Sequence, residues 1–98
     1  MPESKAPPCY CYIVQCDDGS YYTGWTTNPE ARIRAHNAGR GARYTRSRRP
    51  VRLVHLEPQA TRVRAMKRER AIKNLTRAAK QRLIAAGSGN SKVKPVRA

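Results

Sequence analysis

Tyr10-Cys11-Tyr12-Ile13-Val14-Gln15-Cys16, then Asp17-Asp18-Gly19, then Ser20-Tyr21-Tyr22-Thr23-Gly24-Trp25-Thr26 is the stretch that decides the fold. Aromatic, β-branched and thiol side chains dominate both flanks, a composition suited to strands. The short break between them ends in glycine, which fits a type I turn closed by a left-handed residue, a common hairpin connection. That turn length sets the register: Cys16 faces Ser20, and even-numbered positions of both strands share one face. Tyr10, Tyr12, Val14, Tyr22 and Gly24 then point the same way. A slip of one residue would separate Tyr12 from Tyr22, so the shared face depends on the turn.

Beyond the hairpin, Asn28-Pro29-Glu30 is a helix start: Asn as N-cap, Pro at the first helical position, an acid in the first turn. This first helix is expected to run to about Ala38 and to stop at Gly39. Arg40 to Pro50 reads as an arginine-rich loop. Val51 to Glu57 alternates as a third strand ended by Pro58. Thr61 caps a second helix through about Asn74, and Thr76 a third to about Ala86. Residues 1–8 are expected to be a disordered lead-in, 9–86 the folded domain, and 87–98 a disordered basic tail. The fold class is α+β: a small three-stranded antiparallel sheet flanked by helices, in the order β-β-α-β-α-α.

A chain of 98 residues has room for one such domain. Its 21 Lys and Arg against six Asp and Glu give a net charge of +15 at pH 7. A surplus of that size in a compact body implies a polyanionic partner. Nucleic acid is favoured over an anionic membrane, because the basic helices carry Ala, Met, Ile and Val rather than a bulky apolar face. No run approaches a membrane span, and Met1 to Pro8 has no apolar signal region, so the expected location is the cytoplasm. Cys9, Cys11 and Cys16 have neither a fourth Cys nor a His nearby to complete a zinc site, and read as buried structural thiols.

Three features could carry chemistry. In the second helix the inward stripe contains Ala65, Met66, Ile72 and the stem of Lys73, with Glu69 in its middle. A carboxylate there is either a surface partner of Lys73 or a ligand for a hard divalent cation in a basic cleft. In the first helix Arg32 and His36 are four residues apart and stack on one face. They are either solvated side chains or a phosphate clamp beside a proton carrier. Four tyrosines stand on the hairpin of a chain that has no Phe. They could be sheet packing, or phenols whose pKa of about 10 is tuned by nearby cations. Gly24, on the same face as Tyr12 and Tyr22, marks a close approach by another group.

Tyr12, then Tyr22-Thr23-Gly24, then Arg32 and His36-Asn37, then Tyr44-Thr45, then Glu69 together resemble the GIY-YIG nucleases, and within them the compact single-domain branch. The likeness spans roughly residues 9–85. Its departures are Tyr10-Cys11-Tyr12 in place of the first triplet, Thr23 in place of Ile, and Trp25 where some relatives carry a proton-relaying Lys. The resemblance implies a metal-dependent endonuclease that hydrolyses nucleic-acid phosphodiesters with activated water. DNA is favoured, single-stranded or branched substrate included. It implies Glu69 as the ligand of one Mg²⁺ (or Mn²⁺), Arg32 on the charge of the phosphorus oxygens, and Tyr12 as general base or water-positioning group. Tyr22 and His36 would support it. Independently of the resemblance, Arg40, Arg43, Arg46, Arg48 and Arg49 either grip phosphates, with Tyr44 among them to stack on an unpaired base, or form a flexible basic loop that only adds nonspecific affinity. The competing reading is a non-catalytic basic nucleic-acid-binding module on a degenerate nuclease fold.

Overall fold

In the computed structural model, which describes residues 8–87, the hairpin forms in the register that its turn dictates. Strands β1 (Cys9–Gln15) and β2 (Tyr21–Thr26) pair antiparallel with Tyr12 opposite Gly24 and Val14 opposite Tyr22. Cys16 N donates to Ser20 O at 2.8 Å, and Gly19 takes φ +87°, a left-handed conformation that glycine adopts without a Cβ penalty. Helix α1 (Pro29–Asn37) starts where expected, its N-cap Asn28 accepting from Ala31 N, and Gly39 leaves it at φ +86°. Strand β3 (Arg52–Gln59) pairs with β1, giving the order β2-β1-β3. Helices α3 (Arg62–Lys73) and α4 (Arg77–Ala86) follow, capped by the side chains of Thr61 and Thr76.

Three expectations change in detail. The arginine-rich stretch is not all loop, because Arg43–Arg46 forms a short helix, α2. A single turn has too few positions to show a period, so its sequence gave no helical signal. The third strand does not stop at Pro58 but continues to Gln59. It lies at the edge of the sheet, where one row of N–H groups has no ladder partner and proline removes no needed donor. In α3, Ala65 and Ile72 are fully buried but Met66 is exposed. The buried stripe is narrow, and Met66 is rotated about 100° from Ala65 around the axis. Of the expected disordered ends, residues 1–7 and 88–98 lie outside the described residues.

The sheet is covered on both faces. Cys9, Cys11 and Ile13 of β1 pack against Ala65 and Ile72 of α3, with Leu83 and Ile84 of α4 beside them. The opposite face carries Tyr12, Val14 and Cys16 with Leu56, Val51 and Ile33 of α1. Each fully buried aliphatic side chain contributes about 1.5–3 kcal/mol relative to exposure. The three thiols are free and buried, as expected. Cys11 Sγ donates to Ala65 O at 3.0 Å, and burial together with the charges of Glu57 and Glu69 pushes this thiol up to about 11.

Polar fasteners complete the frame. Arg68 of α3 makes a two-pronged contact to Glu57 of β3 (2.7 and 2.9 Å), and His55 Nε2 lies 2.8 Å from the same carboxylate. Burial would raise the Glu57 carboxyl, but the hydrogen bonds from His55 and Arg68 and the Arg68 charge outweigh it and hold it at about 2. The Asn37 side chain accepts from Val51 N (2.7 Å) and donates to Val51 O (3.0 Å), tying the end of α1 to the chain entering β3. Thr23 is the exception. Its hydroxyl is buried on the α3 side and has no partner among the described residues. Thr23→Val is expected to raise stability by about 1 kcal/mol, read as a higher urea midpoint at unchanged slope. A lower midpoint would show that the hydroxyl is in fact satisfied.

Candidate active site

The tyrosine face of the hairpin and the inner face of α1 converge on one phenol. Tyr12 is almost fully buried, and its ring leans over Gly24 on the neighbouring strand. A Cβ at position 24 would lie 2.5 Å from the Tyr12 hydroxyl, so only glycine leaves this path open. From α1, Arg32 Nε donates to Tyr12 Oη at 3.3 Å, and His36 Nε2 lies 2.8 Å from the same oxygen. The four-residue spacing on one helix turn is what delivers both groups together. Tyr22 sets its ring edge-on to His36, at 5.4 Å between centroids.

The electrostatics follow from burial beside a cation. Burial pushes the Tyr12 phenol up from its ordinary value, and the Arg32 hydrogen bond and charge only partly offset this. Burial, then the Arg32 charge, pushes the His36 imidazole down to about 4, so it is neutral at neutral pH. The charge of Glu69 also acts on Tyr12. Glu69 sits on the α3 stripe between Ala65 and Ile72 with its side chain 22% exposed, neither an outward surface group nor sealed away. Its Oε2 is 3.3 Å from Lys73 Nζ, and Lys73 in turn lies 5.8 Å over the Tyr22 ring. The i,i+4 pair thus links the carboxylate to the tyrosine face only through Lys73. Among the described residues Glu69 makes no hydrogen bond or ion pair with Tyr12, Arg32 or His36.

The arginine-rich segment divides into two groups. Arg40, Arg43 and Arg46 are exposed, with no side-chain partner among the described residues. Arg48 instead pairs with Asp18 (3.1 Å) and covers the Tyr44 ring at 3.9 Å, while Arg49 donates to Arg46 O and Asn37 O. Tyr44 stacks on Tyr22 at 6.0 Å. Its ring is thus already engaged by Tyr22 and Arg48, and stacking on a base would require one of them to yield. Two contributors had no role in the sequence reading, where Thr45 entered only as part of the Tyr44-Thr45 pair and Gly41 not at all. The Thr45 hydroxyl, fully buried, lies 2.8 Å from His36 Nδ1, and Gly41 packs so closely on the imidazole that a Cβ there would fall 2.2 Å from Nδ1.

The family model described as the GIY-YIG catalytic domain matches residues 8–82, nearly all of the described chain. The chain belongs to the GIY-YIG family. A UPF0213 protein of Haloquadratum walsbyi is 56% identical to this GIY-YIG chain over 79 residues, covering 81% of it and 89% of that protein. Two solution NMR structures share the fold. One, of a UPF0213 protein from Bacillus halodurans, is 42% identical with a TM-score of 0.55, and the match covers 85% of this chain and 88% of that one. The other, of a protein from E. faecalis, is 45% identical with a TM-score of 0.56, and the match covers 88% and 90% respectively. No helix among the described residues of this GIY-YIG domain is long and apolar enough to cross a membrane.

The buried His36 makes folding pH-dependent in a defined window. Its pKa is about 4 folded against 6.5 when exposed, so between these values the unfolded chain binds the extra proton. Stability is therefore full above pH 6.5 and falls toward pH 4, by on the order of 3 kcal/mol. Glu57, lowered from 4.5 to about 2, adds a second loss only below pH 4.5. Urea midpoints from pH 7.5 to 4.5 should decline for the wild type and flatten for His36→Gln. An equal decline in both would remove His36 as the cause.

Proposed function

We propose that this protein is a metal-dependent endonuclease that hydrolyses nucleic-acid phosphodiesters with activated water, DNA being the favoured substrate, single-stranded or branched forms included. What supports this most is the buried Tyr12 hydroxyl held between Arg32 Nε and His36 Nε2 in a chain of net charge +15.

In this reading Tyr12 takes a proton from the attacking water as its own proton passes to His36 Nε2. The water oxygen forms its bond to phosphorus, the P–O bond to the leaving strand breaks, and that oxygen takes a proton from solvent. Arg32 lies against the charge that builds on the phosphorus oxygens. Tyr22 packs the imidazole in place. Glu69 would hold the cation. Among the described residues there is no cluster of three or more His, Cys, Asp or Glu that could cage a metal. One partly exposed carboxylate fits Mg²⁺ or Mn²⁺, which keep several waters and lean on substrate phosphates. Such an ion, when bound, supplies Lewis-acid stabilisation of phosphate charge.

The Glu69–Lys73 pair favours a second reading, a non-catalytic binder on the same fold. Incubating plasmid, single-stranded DNA and RNA with Mg²⁺ or Mn²⁺, against chelator, separates the two. Metal-dependent cutting is expected, and binding without cutting under every metal condition would leave the second reading. For the grip on substrate, the exposed Arg43 and Arg46 should matter more than Arg48 and Arg49. Replacing both Arg43 and Arg46 with Ala should make the slope of log affinity against log salt less negative by about 1–2. Replacing Arg48 should chiefly loosen the Asp17–Gly19 turn, seen as lower thermal stability.

A further inference from the structure

The arginine-rich stretch from Arg40 to Pro50 reads as a candidate phosphate grip, yet within it Gly41 and Thr45 turn inward and touch both α1 residues of the site. Gly41 O accepts from Arg32 Nη2 at 3.2 Å, and Thr45 Oγ1 meets His36 Nδ1 at 2.8 Å. The threonine hydroxyl is itself pinned from two sides by one residue: it donates to Ala42 O at 3.1 Å and accepts from Ala42 N at 3.3 Å. Thr45 and His36 are fully buried, so water does not compete for the two imidazole nitrogens.

A hydroxyl has one proton, and a neutral imidazole has one N–H and one bare nitrogen. With the Thr45 proton committed to Ala42 O, its oxygen can only accept from His36, so Nδ1 carries the imidazole proton. Nε2 is then bare and accepts the Tyr12 O–H, while the Tyr12 oxygen accepts from Arg32 Nε. Every donor along this chain has an acceptor. In the opposite arrangement Thr45 donates to Nδ1, Nε2–H points at Tyr12, and the buried phenol proton has no acceptor among the described residues. Buried polar groups are rarely left so.

We propose that Thr45 is a positioning residue that fixes His36 as the Nδ1–H tautomer, so that Nε2 faces Tyr12 as a proton acceptor. Thr45 touches no substrate; it acts through the imidazole, as a third group orients the base in other nucleophile–base pairs. The wrong tautomer would present an N–H to the phenol and block the transfer of its proton. The consequence for cleavage rests on the nuclease reading, whereas the tautomer does not.

The test joins a spectrum to a rate. Long-range ¹H–¹⁵N correlation spectra of the imidazoles, recorded on metal-free protein at pH 7, should show His36 Nδ1 protonated and Nε2 bare in the wild type and in Thr45→Ser. In Thr45→Val the Nε2–H form should gain population, and cleavage kcat should fall about 10²-fold with KM little changed, restored largely by Ser. A wild-type His36 protonated on Nε2 overturns the proposal, and needs no variant to fold. Full-rate cleavage by folded Thr45→Val overturns the positioning role. If the wild type has the expected tautomer but cuts no substrate, the nuclease reading fails together with the catalytic consequence, while the tautomer assignment stands.

Discussion

Glu69→Ala is expected to reduce metal-dependent cleavage by about 10³-fold or more, a loss of the size seen when a main charge-stabilising group is removed from an active site. The side chain sits between two fully buried residues of α3, and its charge reaches Tyr12 on the far side of the strand pair. Its replacement leaves the aliphatic packing of Ala65 and Ile72 in place. The ion pair with Lys73 is half exposed, worth a few tenths of a kcal/mol, so the melting temperature should barely move. Affinity for single-stranded DNA should hold or rise slightly, because a negative charge leaves a strongly basic surface. Plasmid relaxation under Mg²⁺, alongside anisotropy binding on the same preparations, reads both. Undiminished cutting by purified Glu69→Ala would end the metal assignment.

Arg32→Ala should lower kcat by about 10²–10³-fold, with a smaller change in KM, because its guanidinium acts on charge that develops only as the phosphodiester reacts. Lysine should restore little, since the side chain uses two separate donors, Nε to Tyr12 and Nη2 to Gly41 O, that one ammonium cannot reproduce. The same variant carries an internal check. The Arg32 charge is the second cause, after burial, of the low His36 pKa. Its removal must therefore raise the imidazole from about 4 part of the way toward 6.5, as an NMR titration would show. A His36 titration unmoved in Arg32→Ala would mean the two side chains are not neighbours, and the loss of rate would need another cause.

The fold was largely legible because its decisive signals are local. A glycine-terminated turn of fixed length set the Tyr12–Gly24 and Val14–Tyr22 pairs, and Asn28-Pro29 set the start of α1, which phased Arg32 and His36 onto one side. Contacts that depend on how distant segments meet were not legible. Thr45 was visible only as half of the Tyr44-Thr45 pair, with no partner to suggest a role, until α2 carried it against His36. The Arg68–Glu57–His55 fastener joins α3 to β3 across eleven residues or more, and no periodicity announces it. The engagement of Arg48 and Arg49 was hidden for the same reason: a loop arginine reads the same whether it faces solvent or a carbonyl. Glu69 was noticed because a carboxylate on a buried stripe among arginines breaks a pattern. Its pairing with Lys73 was one of the two readings its spacing offered, whereas its influence on Tyr12 needed the sheet and α3 together.

One ion placed by paramagnetic relaxation reports on the convergence of these groups without any substrate. When ¹⁵N-labelled protein is titrated with Mn²⁺, the amides of Glu69 and Arg70 in α3 should broaden together with those of Tyr12 and Gly24 in the hairpin, and Glu69→Gln should abolish both effects. Broadening confined to the Asp17–Asp18 turn, or at Glu69 with the hairpin untouched, would contradict a shared site between the tyrosines and the carboxylate.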